Sequence, residues 1–358
     1  VIAAGGTAGH VVPALAVADA LRASGAEVSF IGTREKAEAE LVPAAGYEID
    51  FLRVEGMSRS NPLRAARAIS RSALAVPAAR RALRARGAQA VLGGGGYVAA
   101  PAGLAALGMR LPLVLSEADR HLGLANRALA SRARKVCLAF EIPGREGDRY
   151  RVTGRPVPAA IMQADRAAAR ARFGVVPEAR CLLVFGGSLG ALSINKAALE
   201  GLIEPEGREF HVLHITGRRD YGLAREALAA AGEPDRYTVV EWEPGLADAL
   251  AACDLALARS GGSVFELAAA GVPAILVPYP YAAARHQHAN AEWMTEAGAA
   301  VTIEDDELSG ERVRALAAEI LGDGERLARM SDASRSLARP GAASEIAAEI
   351  LSAIPGEG

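Results

Sequence analysis

Aromatic residues make up only 4% of this 358-residue chain, and cysteine occurs three times. Cys137, Cys181 and Cys253 lie far apart, each inside an apolar run. That excludes a disulfide scaffold and fits core thiols in a reducing cytosol. A basic excess is missing too: the net charge of -2 argues against general nucleic-acid binding, which needs many phosphates neutralised. The start of the chain lacks the charged n-region and cleavage site of a signal peptide, so a cytoplasmic protein is expected. The uncharged stretch from Ala88 to Met109 has the length of a membrane span, but Gly93 to Gly96 and Pro101 interrupt it. A strand, a glycine turn and a buried helix fit it better. His286 with His288, and Asp305-Asp306-Glu307, are the clusters that could suggest a metal. Without an H-E-x-x-H motif, a close cysteine pair or an Asp-x-Asp, no metal and no cofactor are expected.

What remains is apolar and alanine-rich, favouring helices packed closely on sheets. Short apolar strands alternate with helix-period segments almost throughout, the pattern of parallel α/β sheets covered on both faces. The first half offers "VIAA", "EVSFIG", "YEIDFLRV", "QAVLGG", "LPLVLSEA", "KVCLAF" and "YRVTG" as strands. The second offers "CLLVFGG", "FHVLHITG", "YTVVEW", "LALARSG", "PAILVPYP" and "AAVTIED". A stiff connector at Pro156 and Pro158 divides them. The expected fold class is α/β, with two Rossmann-like domains, 1–155 and 156–335, facing across a cleft. The terminal segment 336–358 reads as an amphipathic helix packing back on the first domain.

Both halves begin alike: "VIAAGGTAGH" and "LLVFGGSLGA" run strand, Gly-Gly, hydroxyl, one residue, Gly, helix. Such a loop either makes a tight turn or aims backbone N–H groups at a phosphate. The first, Gly5, Gly6, Thr7 and Gly9, lacks both the lysine of a nucleotide P-loop and a G-x-G-x-x-G fingerprint. The second, Gly186, Gly187, Ser188 and Gly190, would suit a diphosphate. A third loop, Ser260, Gly261, Gly262 and Ser263, opens a helix bearing Glu266. That carboxylate could accept both hydroxyls of a ribose, or could simply satisfy the helix dipole. Gln287 and Asn290 share a helix face, and amides that both donate and accept suit sugar hydroxyls. His10, closing the first loop, is either a general base of ordinary pKa or a capping residue.

With these residues assembled, the chain resembles the MurG family. The resemblance spans nearly the whole length through "GGTAGHVVPALAVADAL", "GGYVAAPAGLAA", "TGRPV", "GGSLGALSIN", "RSGGSVFELAAAGVPAILVPYP" and "QHANAEWM". It implies a GT-B, inverting, metal-independent enzyme of peptidoglycan synthesis, moving GlcNAc from UDP-GlcNAc to the C4 hydroxyl of lipid I to give lipid II. Ser188 and its glycines, with Arg155, would then hold the UDP diphosphate, and Ser260 to Ser263 with Glu266 the ribose side. Gln287 and Asn290 would hold the sugar, and the backbone from Trp242 through Glu243 to Leu246 the uracil. Gly5 to His10 and Gly94, Gly95, Gly96 and Tyr97 would cradle the acceptor diphosphate. His10 is the first choice for the base and Glu117 the second.

The chain departs from the family in three places. Where His-Glu-Gln-Asn is usual it has Ser116, Glu117, Ala118 and Asp119, although Asn126 downstream matches. "RSGGSVFE" is one residue shorter than the usual spacing, and Leu189 replaces a glutamine. A related transferase acting on another lipid or secondary metabolite, or a non-catalytic UDP-sugar or lipid-binding module, are the competing readings. A UDP-sugar epimerase of the same fold is another.

Between Arg53 and Arg86 the positive residues are Arg53, Arg59, Arg64, Arg67, Arg71, Arg80, Arg81, Arg84 and Arg86, against the single acid Glu55. With Leu63, Ile69, Leu74, Val76 and Leu83 among them, this segment reads as a surface for an anionic inner leaflet, broken or kinked at Pro77. Peripheral attachment to the cytoplasmic side of the membrane is expected.

Overall fold

A computed structural model describes residues 1–54, 62–187, 190–204, 209–243, 245–282 and 285–355, without the side chains of 62–69. The chain divides into two compact units: Val1–Pro158 with Arg339–Gly358, and Ala159–Ala338.

In the first unit the strands are β1 (Ile2–Ala3), β2 (Ser29–Gly32), β3 (Glu48–Phe51), β4 (Val91–Gly93), β5 (Leu113–Glu117), β6 (Lys135–Leu138) and β7 (Tyr150–Val152). They form one parallel sheet in the order β3-β2-β1-β4-β5-β6-β7. Helices α1 (Ala8–Ala23), α2 (Glu38–Ala44), α3 (Pro62–Ala85), α4 (Ala99–Gly108) and α5 (Leu124–Leu129) connect them. The order reverses at β1 and β4, the switch point at which α/β sheets bind ligands. Ala88 to Met109 is therefore a strand, a glycine turn and a helix. Among the described residues no helix is long and apolar enough to cross a membrane.

The second unit holds α6 (Ala160–Gln163), α7 (Arg166–Phe173), β8 (Cys181–Phe185), α8 (Leu192–Leu202), β9 (His211–Ile215), α9 (Tyr221–Ala230) and β10 (Tyr237–Val240). It continues with α10 (Ala247–Ala252), β11 (Leu255–Ala258), α11 (Val264–Ala270), β12 (Ala274–Leu276), α12 (His286–Glu296), β13 (Ala300–Thr302), α13 (Gly310–Gly322) and α14 (Gly324–Ser336). Its parallel sheet runs β10-β9-β8-β11-β12-β13, with the same kind of reversal between β8 and β11. The central strands are buried end to end, as the apolar runs "CLLVF" and "LALA" require of strands covered on both faces.

The last helix, α15 (Ala342–Ala353), buries Ile346, Ala347 and Ile350 in the core of the first unit. Arg151 clamps it by donating to Glu349 at 2.8 Å and Glu345 at 2.9 Å. At Pro77, where a break or kink is expected, α3 is continuous, so the segment is not broken there. Ala75 on one side and Ala79 and Leu83 on the other are buried, so packing offsets the hydrogen bond that proline removes.

Candidate active site

In the first unit, α1 starts immediately beyond the glycine turn that ends β1. Thr7, its N-cap, is extended and makes no side-chain capping bond. The His10 amide donates to the Thr7 carbonyl at 3.0 Å, and the amides of Ala8 and Gly9 ahead of it form the positive end of the helix. Behind this turn lies Glu38, fully buried at the start of α2. Its carboxylate accepts from the amide of Gly6 at 2.9 Å, and from the amide and hydroxyl of Thr33 at 2.9 and 2.6 Å. Gly6 thus turns its N–H inward, away from any acceptor diphosphate.

The β4–α4 loop lies directly on this turn. Gly94 donates to the carbonyl of Ala3 at 2.9 Å. Gly96 has φ +78°, and a Cβ there would overlap the Gly5 carbonyl, while one on Gly95 would lie 2.5 Å from the His10 ring. Glycine is required here for close approach as much as for any ligand. Tyr97, 44% exposed, stands beside Gly6.

His10 is half-buried on the first turn of α1, its Nδ1 3.4 Å from the Thr7 hydroxyl. Burial, and secondly the Arg155 guanidinium, push its pKa below the usual value; Asp119 and Glu38 pull the other way. The ring is a neutral imidazole at physiological pH, with carboxylates placed to stabilise it once protonated. Arg155, expected to contact the donor, lies in the first unit, where it is buried and donates to the Gly9 carbonyl at 2.5 Å.

Glu117, at the end of β5, has both oxygens occupied. Oε1 accepts from the amides of Ala118 and Asp119 (3.0 and 3.2 Å), and Oε2 from the amide of Gly123 and Nδ2 of Asn126 (2.8 and 2.9 Å). Burial raises its pKa, and hydrogen bonds from Gly123, Asn126 and Asp119 oppose the rise. This carboxylate anchors the 118–123 loop rather than facing a substrate proton. Asn126 is buried as well and also donates to the Ser116 carbonyl at 3.0 Å. Ser116, His10, Gly94, Glu117 and Arg155 line one cavity of about 10 Å³, room for about one water.

In the second unit Gly187 and Gly190 have φ +90° and +72°, and Gly190 donates to the Gly187 carbonyl at 3.0 Å. Ser188 and Leu189 lie outside the described residues. Just after this loop, Asn195 is fully buried in the first turn of α8. Its Nδ2 donates to the Thr216 carbonyl and to Asp220, both at 2.9 Å, so its Oδ1 must accept, from His214 Nε2 at 3.0 Å. His214 Nδ1 then accepts from the Tyr237 hydroxyl at 2.8 Å. This buried chain ties α8, β9 and β10 together beneath the loop.

The Arg218 guanidinium lies over Trp242, 4.9 Å from the ring centroid. Arg172 of α7 holds the Glu243 carboxylate at 2.8 and 3.1 Å, and Leu246 is the N-cap of α10, which leaves backbone as the natural contact of this segment. In the third loop, Ser260 is fully buried and its hydroxyl has no partner among the described residues. Asn290, expected to face the sugar, is itself buried and donates to the carbonyls of Ser260 and Gly261 at 3.0 and 3.4 Å. Gln287 accepts from the Tyr279 amide at 2.9 Å and keeps its NH₂ near Gly261. Gly262 and Ser263 lead into α11, which carries half-buried Glu266 in its first turn.

Sequence reasoning missed Glu38, Asn195 and Arg259. Arg259 pairs with Asp305, donates to the carbonyls of Val277 and Pro278 at 3.1 and 3.3 Å, and to the Ser193 hydroxyl at 2.7 Å. Asp305 thus serves as a counter-ion to Arg259. The available signal was position: each of the three lies within a few residues of the carboxyl end of a parallel strand or its loop.

Residues 1–138 match the glycosyltransferase family 28 N-terminal domain, and residues 181–346 its C-terminal domain. A protein of Moorella thermoacetica named UDP-N-acetylglucosamine--N-acetylmuramyl-(pentapeptide) pyrophosphoryl-undecaprenol N-acetylglucosamine transferase is 40% identical, covering 99% of this chain and 98% of its own length. The crystal structure of Acinetobacter baumannii MurG aligns with a TM-score of 0.74 at 29% identity, covering 98% of each chain. A UDP-GlcNAc 2-epimerase from Neisseria meningitidis has a TM-score of 0.68 at 14% identity, covering 98% of this chain and 99% of its own, and shares the fold alone. The chain belongs to glycosyltransferase family 28, in its MurG branch, and its two units are the Rossmann-like halves of a GT-B fold.

Proposed function

We propose that this enzyme transfers N-acetylglucosamine from UDP-GlcNAc to the C4 hydroxyl of the muramyl sugar of undecaprenyl-diphosphate-linked muramyl-pentapeptide. The observation that carries the reading is a neutral histidine at a helix N-terminus in the first unit, with a separate glycine-loop site in the second. The first unit takes the acceptor diphosphate at the start of α1. The second takes UDP-GlcNAc through Gly187, Ser188 and Gly190, the Trp242–Leu246 backbone, Glu266 and Gln287.

In the reaction, the C4 oxygen forms a bond to the anomeric carbon as the bond from that carbon to the UDP oxygen breaks, inverting the configuration. His10 Nε2 takes the hydroxyl proton. Burial, and after it the Arg155 guanidinium, keep the free imidazole neutral, and Asp119 and Glu38 stabilise the imidazolium. The departing diphosphate charge meets helix N-termini and loop amides already in place. Asn290 acts by fixing the Ser260–Gly261 backbone.

Membrane attachment on the cytoplasmic face is the role proposed for α3. Arg80, Arg81 and Arg84 are exposed there, and Leu74 is 78% exposed. Leu83 faces the core instead, and Arg86 pairs with Asp50 and Glu48. Arg59 lies outside the described residues, as do the side chains of Leu63, Arg64, Arg67 and Ile69.

The test is incubation with UDP-GlcNAc and a short-chain lipid I analogue, followed by mass spectrometry. A gain of one GlcNAc on the acceptor supports the reading. Conversion of UDP-GlcNAc without acceptor indicates an epimerase. Binding of UDP-GlcNAc without transfer moves the acceptor elsewhere, with Ser116 and Asp119 as the first residues to exchange.

A further inference from the structure

Glu38 lies in a charged run, "REKAEAE", whose pattern is that of a solvated surface, yet it is fully buried. Its three hydrogen-bond partners are uncharged: the Gly6 amide and the amide and hydroxyl of Thr33. Burying a carboxylate on neutral donors is costly, and a hydrophobic residue would ordinarily fill such a site better. What the carboxylate touches accounts for its presence. A Cβ on Gly5 would lie 2.5 Å from Oε1, so Gly5 is held against Glu38 on one side, and its carbonyl abuts Gly96 on the other. The neighbouring Gly95 lies against the His10 ring. A continuous line of contacts therefore runs from Thr33 at the end of β2, through Glu38, Gly5 and Gly96, to Gly95 and the imidazole.

We propose that Glu38 is a positioning residue for the acceptor site: it locks the Gly5–Gly6 turn from behind and so sets the place of His10 and of the amides opening α1. This deepens the transferase reading and rests on it. The charged groups that face His10 are Arg155 from the segment after β7, Asp119 from the loop after β5 and Glu38 from α2, and Glu117 lines the same cavity. Glu38 thus acts on His10 in two ways, through the line of contacts and through its charge.

The experiment compares wild type with Glu38→Gln, Glu38→Asp and Thr33→Val. Measured are KM for the lipid I analogue, KM for UDP-GlcNAc, and the titration of the His10 ring by NMR, assigned with His10→Gln. In Glu38→Gln an amide NH₂ must face a backbone N–H or the Thr33 donors, so the turn shifts. We expect acceptor KM to rise about tenfold, the scale of one lost charge-assisted hydrogen bond, with donor KM within about twofold of wild type. His10 should titrate at lower pH than in wild type, because one of the two carboxylates holding its pKa up is gone. Glu38→Asp retains the charge and should restore most of that titration. An equal rise in both KM values with an unmoved His10 titration would reduce Glu38 to general stability and overturn the proposal. Should Glu38→Gln fail to fold, Thr33→Val, which removes only the 2.6 Å hydroxyl bond, decides through the acceptor-to-donor KM ratio. An inactive wild type would overturn the transferase reading separately, since the His10 shift is read without turnover.

Discussion

His214 offers a quantitative test of the second unit. It is fully buried, and its two ring nitrogens are committed to Asn195 and Tyr237, leaving the neutral Nε2–H tautomer. Burial lowers its pKa to about 3, with nearby Asp220 opposing. In the unfolded chain it titrates near 6.5. The folded pKa is the lower of the two, so on acidification the unfolded state binds the proton first. Stability is therefore complete above about pH 6.5 and declines as pH falls toward about 3, at up to about 1.4 kcal/mol per pH unit. Between pH 7 and pH 5 this one group should cost about 2 kcal/mol. The perturbation is His214→Gln, which removes the titration while leaving every other ionisable group in place. Urea unfolding of both proteins at pH 7 and pH 5 gives the comparison. The variant should be less stable at pH 7, having lost its hydrogen-bond chain, but should lose about 2 kcal/mol less than wild type on going to pH 5. Equal losses in the two proteins would refute the claim that the fold keeps this histidine neutral.

Three further outcomes follow from the site geometry. Gly96→Ala places a Cβ into the Gly5 carbonyl at φ +78°, so the two loops of the first unit must separate. Acceptor kcat/KM should fall at least about tenfold with a loss of roughly 1–3 kcal/mol in stability, and a fully active, equally stable variant would contradict the close packing. His10→Ala should lower kcat by about 10²-fold or more while UDP affinity, measured by calorimetry, stays within about twofold. Unchanged turnover would remove His10 from the chemistry. Glu266→Ala should weaken UDP binding about tenfold or more through loss of the ribose hydrogen bonds, and an unaltered affinity would show that the ribose lies elsewhere.

The thirteen strands among the described residues were all legible in the sequence, because strands buried on both faces of a parallel sheet read as short apolar runs between glycine turns. The strand order with its reversals was not legible, since a glycine turn between strand and helix marks only the carboxyl edge of the sheet. Less legible was the use made of each polar group. Asn290 looked free for sugar hydroxyls, but its Nδ2 is taken by the Ser260 and Gly261 carbonyls, a contact between residues thirty apart in sequence. Glu117 likewise matched the family pattern, and only its four N–H partners reveal an anchor. Glu38, Asn195 and Arg259 were invisible for the opposite reason: a charged or amide residue carries no periodic signal of burial, and each has at least one partner well removed in sequence, such as Gly6 for Glu38. At Pro77 local propensity allows a break, whereas α3 runs on and is held on both sides of it by buried alanines and Leu83.

The central claim is inverting transfer of GlcNAc to the C4 hydroxyl of the lipid-linked muramyl sugar. The most direct measurement is NMR of the product formed from UDP-GlcNAc and a short-chain lipid I analogue, reading both the linkage position and the anomeric configuration. Attack on the face opposite UDP predicts a single new β-linked GlcNAc on C4. An α linkage, attachment at another hydroxyl, or no product while both substrates bind would contradict it.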